Sequence, residues 1–237
     1  MLRIIVLRRT HITSNKLIYS NIKEFPPHEP SLPGNEWKDS IALYGDSCTW
    51  GQALEEKDRI HTQLKNISGK TVYNFGYPAQ SNEHIFKKFI RHVSHYGYPS
   101  KVVIGWTSPW RFASISEKHP EGGSWTVDSI GHWTFDTTPE HAAAKHLLDT
   151  SPRTLIVRTA DYTIAIENMC KGRTELFQWC VPPKKGKSKV TFDVDNNITH
   201  FPQTSNDWYK LTFDDKGSDN MHPGPKTIKK LAEQVCK

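Results

Sequence analysis

The sequence lacks a paired-cysteine pattern, a long apolar run and a dense block of one charge. Its four cysteines, Cys48, Cys170, Cys180 and Cys236, form no C-x-x-C pair, which indicates reduced thiols rather than a disulfide framework. No stretch approaches the ~18 apolar residues of a membrane span. The four apolar residues of Ile4–Leu7 are too few for the core of a secretory signal peptide. We therefore expect an unexported protein of the cytoplasm with no membrane partner.

Positive charge is in excess but is spread along the chain. The net charge is +6, and the densest cluster lies in a loop rich in Pro, Gly and Ser, at Lys184, Lys185, Lys187 and Lys189. This favours a solvated loop and argues against nucleic acid, with contact to an acidic polymer as the alternative. The histidines lack a metal-binding spacing such as H-E-x-x-H, so we expect neither a metal nor a cofactor.

The length and the aromatic content indicate one folded domain. The chain has 237 residues with eight Trp, eight Tyr and ten Phe, although its mean hydropathy is only -0.63. That many aromatic residues argue against disorder and suit both cores and carbohydrate-facing clefts. Residues 1–40, which include the proline-rich stretch 25–34, are predicted to be an extended lead-in that packs on the domain formed by residues 41–237.

From Ile41 onward, strand patterns alternate with helix patterns, which predicts an α/β fold with a parallel sheet covered on both faces. Helices are expected over residues 53–67, 81–94, 139–148, 158–170 and 223–235, and residues 112–137 are expected to be an irregular insertion over the site. The predicted strands are Ile41–Tyr44, Thr71–Phe75, Lys101–Trp106 and Leu176–Val181, with a fifth at Val190–Val194 or Tyr209–Phe213.

The stretch G-D-S-C-T-W-G at residues 45–51 directly follows the first predicted strand. A serine on a turn between a strand and a helix holds its hydroxyl at the carboxyl end of the sheet, where ligands bind in such folds. Ser47 is therefore a candidate nucleophile. Its neighbour Cys48 is interpreted as a packed thiol, because adjacent side chains on a turn point in different directions.

A serine nucleophile needs a base and a group that orients the base. Both are available in D-x-x-H, at Asp219 and His222, just before the last predicted helix. Asp219 could hold one imidazole nitrogen and leave the other to accept the proton of Ser47. The alternative is that both residues only cap the helix.

The two motifs, in this order, resemble the first and last signature blocks of the SGNH, or GDSL, hydrolases, and the resemblance spans residues 41 to about 235. It implies a three-layer α/β/α sandwich with a central, mostly parallel five-stranded sheet of flavodoxin-like order. It also implies metal-independent ester hydrolysis through an acyl-enzyme, with Ser47 as nucleophile, His222 as proton shuttle and Asp219 as its partner.

The two middle blocks depart from the family pattern. The resemblance assigns the oxyanion hole to Ser47, Ala79 and Thr107, where the family has glycine at the second position and asparagine at the third. A threonine hydroxyl is shorter than an asparagine amide, so the departure implies weaker activity unless Thr107, Asn74 or Asn82 supplies the donor.

Aromatic and basic residues beside these blocks are candidates for substrate binding. Trp50, Trp106 and Trp110 suit sugar rings, and Arg111 suits a carboxylate or phosphate; packing of the sheet rim is the alternative for each. The preferred substrate is an O-acetylated glycan or a small ester, and the rival function is a carbohydrate-binding module without activity.

The short, basic chain also resembles virus-encoded homologues, which implies a virion or the host cytoplasm as its location. Nothing in the sequence specifies an oligomer.

Overall fold

Five parallel strands form the central sheet of the part of the chain that the structure describes. In this computed structural model the described residues are 34–78, 80–109, 111–115, 127–130, 152–181 and 208–237. The strands are β1 Ile41–Tyr44, β2 Val72–Asn74, β3 Lys101–Trp106, β6 Glu175–Cys180 and β7 Tyr209–Lys210. Their order is β2-β1-β3-β6-β7, which is the flavodoxin-like arrangement that starts in the middle of the sheet and adds strands on both sides.

Helices follow most of the strands, and a small second sheet follows β3. The helices are α1 Ser47–Trp50, α2 Ile60–Ser68, α3 Asn82–Tyr96, α4 Pro152–Cys170 and α5 Pro225–Val235, and the second sheet pairs β4 Phe112–Ile115 with antiparallel β5 Val127–Ile130. Ser81 caps α3 through its hydroxyl, which accepts from the His84 amide. Within the described ranges, no helix is both long and apolar enough to cross a bilayer.

Each face of the sheet carries its own core, which gives three layers. Ile41 and Leu43 of β1 pack with apolar side chains of α2 and α5, whereas Ala42 and Tyr44 pack with those of α3 and α4. This alternation follows from the two-residue period of a strand. Each large side chain buried in this way contributes about 1.5–3 kcal/mol. The α/β/α prediction is confirmed.

Most of the predicted elements are confirmed, with differences at their ends. The strands β1, β2, β3 and β6 lie where they are predicted. The fifth strand of the sheet, β7, lies in the predicted range Tyr209–Phe213. The first long helix begins at Ile60 rather than Ala53, because Ala53 has a φ of 64° and Glu56–Asp58 form a 3-10 turn. The prediction of an irregular 112–137 segment is wrong at β4 and β5. The predictions for residues 1–33, 139–148 and Val190–Val194 lie outside the described residues.

A buried histidine makes this fold sensitive to acid. His92 on α3 is 2% exposed, its Nδ1 lies 3.2 Å from the Tyr44 hydroxyl, and its ring centroid lies 4.1 Å from that of Phe75. Burial, helped by nearby positive charges of which Arg91 is the largest, lowers the pKa of His92 to about 2. The folded protein therefore keeps this imidazole neutral at pH values where the unfolded chain protonates it.

We expect the free energy of unfolding to fall as the pH drops below about 6.5, the pKa of an unfolded-chain histidine. The unfolded state then binds a proton that the folded state does not, which costs up to ~1.4 kcal/mol per pH unit. Urea unfolding between pH 8 and 5 measures the slope. His92→Gln should reduce it and leave the part due to His84, whose pKa burial lowers to about 3. His95→Gln, at an exposed position on the same helix, is the matched control. Equal slopes in His92→Gln and the wild type would contradict this account.

Candidate active site

The ends of three strands close around one side chain, Thr49. A Cβ built on Gly45 would lie 1.9 Å from Thr49 Oγ1, one on Gly105 would lie 2.4 Å from the same atom, and one on Gly76 would lie 2.9 Å from Thr49 Cβ. Thr49 thus fills the space left by glycines that follow β1 and β2 and end β3. This contact fixes α1 against the carboxyl edge of the sheet.

Ser47 is the first residue of α1, directly beyond this edge. The Asp46 carboxylate caps the helix by accepting from the Cys48 amide at 3.0 Å, and Gly51 ends it with a φ of 90°. The Gly51 and Gln52 amides both donate to the Ser47 carbonyl at 3.0 Å. These bonds hold Ser47 in a tight turn, where it is 5% exposed.

The second part of the site is the 216–223 loop, which precedes α5. Lys216 and Pro223 form an antiparallel bridge, and the Gly217 amide donates to the His222 carbonyl at 2.9 Å. Asp215, at the base of the loop, accepts from two backbone amides in the first turn of α5. The loop is therefore closed on itself and tied to a helix that packs in the core.

Asp219, His222 and Ser47 form a continuous line of hydrogen bonds. Asp219 Oδ1 accepts from the amides of Met221 at 2.9 Å and His222 at 3.0 Å. Its Oδ2 lies 2.5 Å from His222 Nδ1, and His222 Nε2 lies 3.0 Å from Ser47 Oγ. The structure thus brings together the three residues that the two motifs single out. Asp219 does not cap α5, whose N-cap is Gly224.

The charge on Asp219 sets the direction of proton transfer along this line. The amide hydrogen bonds from His222 and Met221, together with the imidazole, lower the pKa of Asp219 to about 2. A carboxylate that stays ionised at neutral pH accepts a hydrogen bond from Nδ1–H, which leaves the unprotonated Nε2 as the acceptor that faces Ser47. The arrangement can therefore take a proton from the Ser47 hydroxyl.

Asp46, the residue before Ser47, accepts hydrogen bonds from two polar side chains of the segment after β3. This carboxylate is 7% exposed, and its Oδ2 accepts from Thr107 Oγ1 at 2.7 Å and from Arg111 Nη1 at 2.9 Å. The hydroxyl proton of Thr107 is thus directed at Asp46 rather than at a ligand, and Arg111 forms an ion pair within the protein. Asp46 is a site residue that sequence reasoning misses; its only signal is its place in G-D-S.

The other predicted donors are also engaged. Asn74 Nδ2 donates to the Thr49 carbonyl at 2.9 Å, and Asn82 Nδ2 donates to the Thr107 carbonyl at 3.0 Å. Ala79 lies outside the described residues. The Ser47 backbone N–H, in contrast, has no acceptor among the residues that the structure describes. It is therefore a donor that a ligand can use.

The three tryptophans predicted to contact substrate are not alike. Trp106 is 3% exposed, its Nε1 donates to Gln178 Oε1 at 2.7 Å, and its ring stacks on Trp208. Its side chain lies on the same face of β3 as Val102 and Ile104 and packs in the core with them. The prediction that Trp106 contacts the substrate is therefore corrected. Trp50 is half-buried, and the Arg59 guanidinium lies 4.7 Å from its ring centroid. Trp110 lies outside the described residues.

Cys48 is unsuited to act as a nucleophile. Burial, with the negative charge of Asp46, raises the pKa of its thiol well above the ordinary value. Thiols react as thiolates, so this side chain stays protonated and packed. Among the described residues, moreover, no group of three or more His, Cys, Asp or Glu side chains is arranged to hold a metal ion.

No family model and no curated protein matches this sequence. Solved structures that are similar to it include a protein described as lipolytic and of the G-D-S-L family from Desulfitobacterium hafniense, with 14% identity, a TM-score of 0.46, and coverage of 83% of this chain and 97% of that one. Another is a carbohydrate esterase family 2 enzyme with a carbohydrate-binding domain from Myceliophthora fergusii, with 13% identity, a TM-score of 0.47, and coverage of 87% and 68%. A third is a family two carbohydrate esterase from Clostridium thermocellum in complex with cellohexaose, with 14% identity, a TM-score of 0.46, and coverage of 84% and 62%.

The tight contact at Thr49 can be tested by adding one methyl group. Gly45→Ala places a Cβ within 1.9 Å of Thr49 Oγ1, so we expect overpacking to lower the free energy of unfolding by about 1–3 kcal/mol or more. The control is Gly172→Ala, where the φ is +71° but no atom lies within 4 Å, and which should cost only about 1 kcal/mol. Urea unfolding measures both, and an equal cost at the two positions would show that Thr49 does not fill the space.

Proposed function

We propose that this chain is a serine-dependent ester hydrolase that removes acetyl or other short acyl groups from a carbohydrate or a small ester. The observation that carries the proposal is the hydrogen-bonded line from Asp219 through His222 to Ser47, in which His222 Nε2 lies 3.0 Å from Ser47 Oγ. A hydroxyl, an imidazole and an ionised carboxylate in this order are the parts that acyl transfer to serine needs.

In the proposed reaction, Ser47 Oγ attacks the acyl carbonyl carbon while its proton moves to His222 Nε2. The carboxylate of Asp219 stabilises the imidazolium that forms. When the tetrahedral intermediate collapses, the bond to the alcohol breaks and the alcohol leaves with the proton from His222. Water then attacks the acyl group on Ser47, with His222 as base, and releases the carboxylic acid.

Stabilisation of the oxyanion is the weak part of this site. The Ser47 amide is open to an oxyanion, and Ala79 remains a proposed second donor. The Thr107 hydroxyl already donates to Asp46 at 2.7 Å, so it is engaged elsewhere. Loss of one such donor typically slows acyl transfer by ~10²–10³-fold. We therefore expect slow turnover compared with enzymes that have a full set of donors.

The exposure of Ser47 and the surface beside it support the proposed substrate class. Because Ser47 is 5% exposed, a short acyl group fits better than a long chain. Trp50 is the described tryptophan that is partly exposed beside the nucleophile, and an aromatic face suits a sugar ring. Arg111 contributes less to substrate binding than its sequence position predicts, because it pairs with Asp46.

The second candidate function is a carbohydrate-binding module that keeps the fold without turnover. The engagement of Asn74, Asn82 and Thr107 with other groups of the protein is the observation that favours it. Without side-chain donors for the oxyanion, the site could still hold a glycan against the half-buried ring of Trp50.

We expect p-nitrophenyl acetate to be hydrolysed by the wild type and Ser47→Ala to reduce hydrolysis to the uncatalysed rate, because the nucleophile is lost. The control is Cys48→Ala, which changes the adjacent buried thiol and should retain most of the activity. Release of p-nitrophenolate measures both. No turnover in the wild type, together with binding of acetylated glycans in calorimetry, would instead support the binding module.

The role of Thr107 can be tested with Thr107→Val, which keeps the shape of the side chain and removes the hydroxyl. Since that hydroxyl donates to Asp46, we expect kcat to fall by less than about tenfold, well short of the ~10²–10³-fold typical of a lost oxyanion donor. Steady-state kinetics with the same ester measures the change. A hundredfold loss of kcat at constant KM would mean that Thr107 does stabilise the oxyanion, as its sequence position predicts.

A further inference from the structure

Two parts of the site that lie far apart in sequence meet at a single carbonyl group. The Ala53 carbonyl accepts from the Ser218 amide at 3.2 Å and from the Ser218 hydroxyl at 3.3 Å. Ala53 lies in the 51–54 turn, directly after the helix that carries Ser47, and Ser218 lies in the 216–223 loop that carries Asp219 and His222. Asp215 ties the base of the 216–223 loop to α5, whereas the hydrogen bonds from Ser218 to Ala53 hold the other end of this loop against the 51–54 turn.

The backbone of Ala53 is strained. Its φ is 64°, in the left-handed region that costs a residue with a Cβ about 1–2 kcal/mol. Such conformations persist where surrounding contacts impose them. In this turn the contacts include two hydrogen bonds that the Gly51 and Gln52 amides donate to the Ser47 carbonyl. They also include the two hydrogen bonds that Ser218 donates to the Ala53 carbonyl.

Gly217 packs directly against this strained residue. A Cβ built on Gly217 would lie 2.9 Å from Ala53 O and 3.0 Å from Ala53 Cβ. The absence of a side chain at Gly217 therefore lets the loop approach the turn closely enough for the bonds from Ser218 to form. The loop is otherwise closed on itself, so a shift at Gly217 is passed on to His222.

We propose that the contact of Ala53 with Gly217 and Ser218 sets the distance between His222 and Ser47, which makes Ala53 a positioning residue for the proposed hydrolysis. This inference rests on the proposed function. The alternative is that the contact only stabilises the fold. A displacement of about 1 Å between reacting groups can cost a hundredfold in rate, so the two roles give different kinetics.

The test is Gly217→Ala, whose added Cβ must push the loop away from the turn. We expect kcat for p-nitrophenyl acetate to fall about a hundredfold, with KM changed by no more than about twofold because binding contacts remain. Adding Ala53→Gly, which removes the opposing Cβ and relaxes the turn, should restore part of kcat. Ser218→Ala, which removes one of the two bonds, should cause a smaller loss.

The matched control is Gly69→Ala, at the end of α2. Its φ is +68° and no atom lies within 4 Å of the new Cβ, so it strains the backbone without touching the site. It should lower Tm and leave kcat unchanged. An unchanged kcat in Gly217→Ala, or an equal loss of kcat in Gly69→Ala, would overturn the positioning role.

A second readout does not depend on turnover. In the wild type, Ser47→Ala should shift the ¹⁵N resonance of His222 Nε2, because it removes the hydrogen bond at that atom. In the Gly217→Ala background, the same substitution should produce no shift, and an equal shift in both backgrounds would overturn the inference. If the wild type hydrolyses no ester, the proposed function fails, and the resonance comparison alone decides whether the contact positions His222.

Discussion

The buried carboxylate of Asp46 is the interaction on which the geometry of this edge of the sheet depends. An ionised group that is 7% exposed costs several kcal/mol unless it is paired and hydrogen-bonded. Its pairing brings in Thr107 and Arg111 from the segment beyond β3, while its other oxygen caps the helix of Ser47. One charge therefore joins two strand ends and explains why two residues expected to face a ligand face the protein instead.

Much of the fold can be predicted because its signals are local. The apolar run of Lys101–Trp106 and the helical spacing of residues 81–94 each reflect burial on a sheet or on one side of a helix. The start of α2 cannot be predicted in this way, because the helical pattern extends back over residues 53–59. The left-handed backbone of Ala53 depends in part on hydrogen bonds from the distant 216–223 loop, and no local sequence pattern predicts that contact.

The residues of the candidate site also differ in whether a local sequence pattern predicts their position. Ser47, Asp219 and His222 belong to two short motifs that local sequence reasoning detects. In the structure, Asp219 and Ser47 each lie within hydrogen-bond distance of His222; their catalytic roles stay a prediction. The direction of the Trp106 side chain depends instead on the face of β3 to which it belongs. The partner of Thr107 depends on a charge that is 61 positions away, which single-sequence reasoning does not detect.

The separation of Ser47 and His222 by 175 positions has a consequence for synthesis. Translation delivers the turn of Ser47 well before it delivers the imidazole of His222. A chain that stalls on the ribosome, or that a protease clips before the 216–223 loop, carries the hydroxyl without its base. Synthesis of the 216–223 loop is thus the step that assembles the pair, and copies that end before this loop lack it.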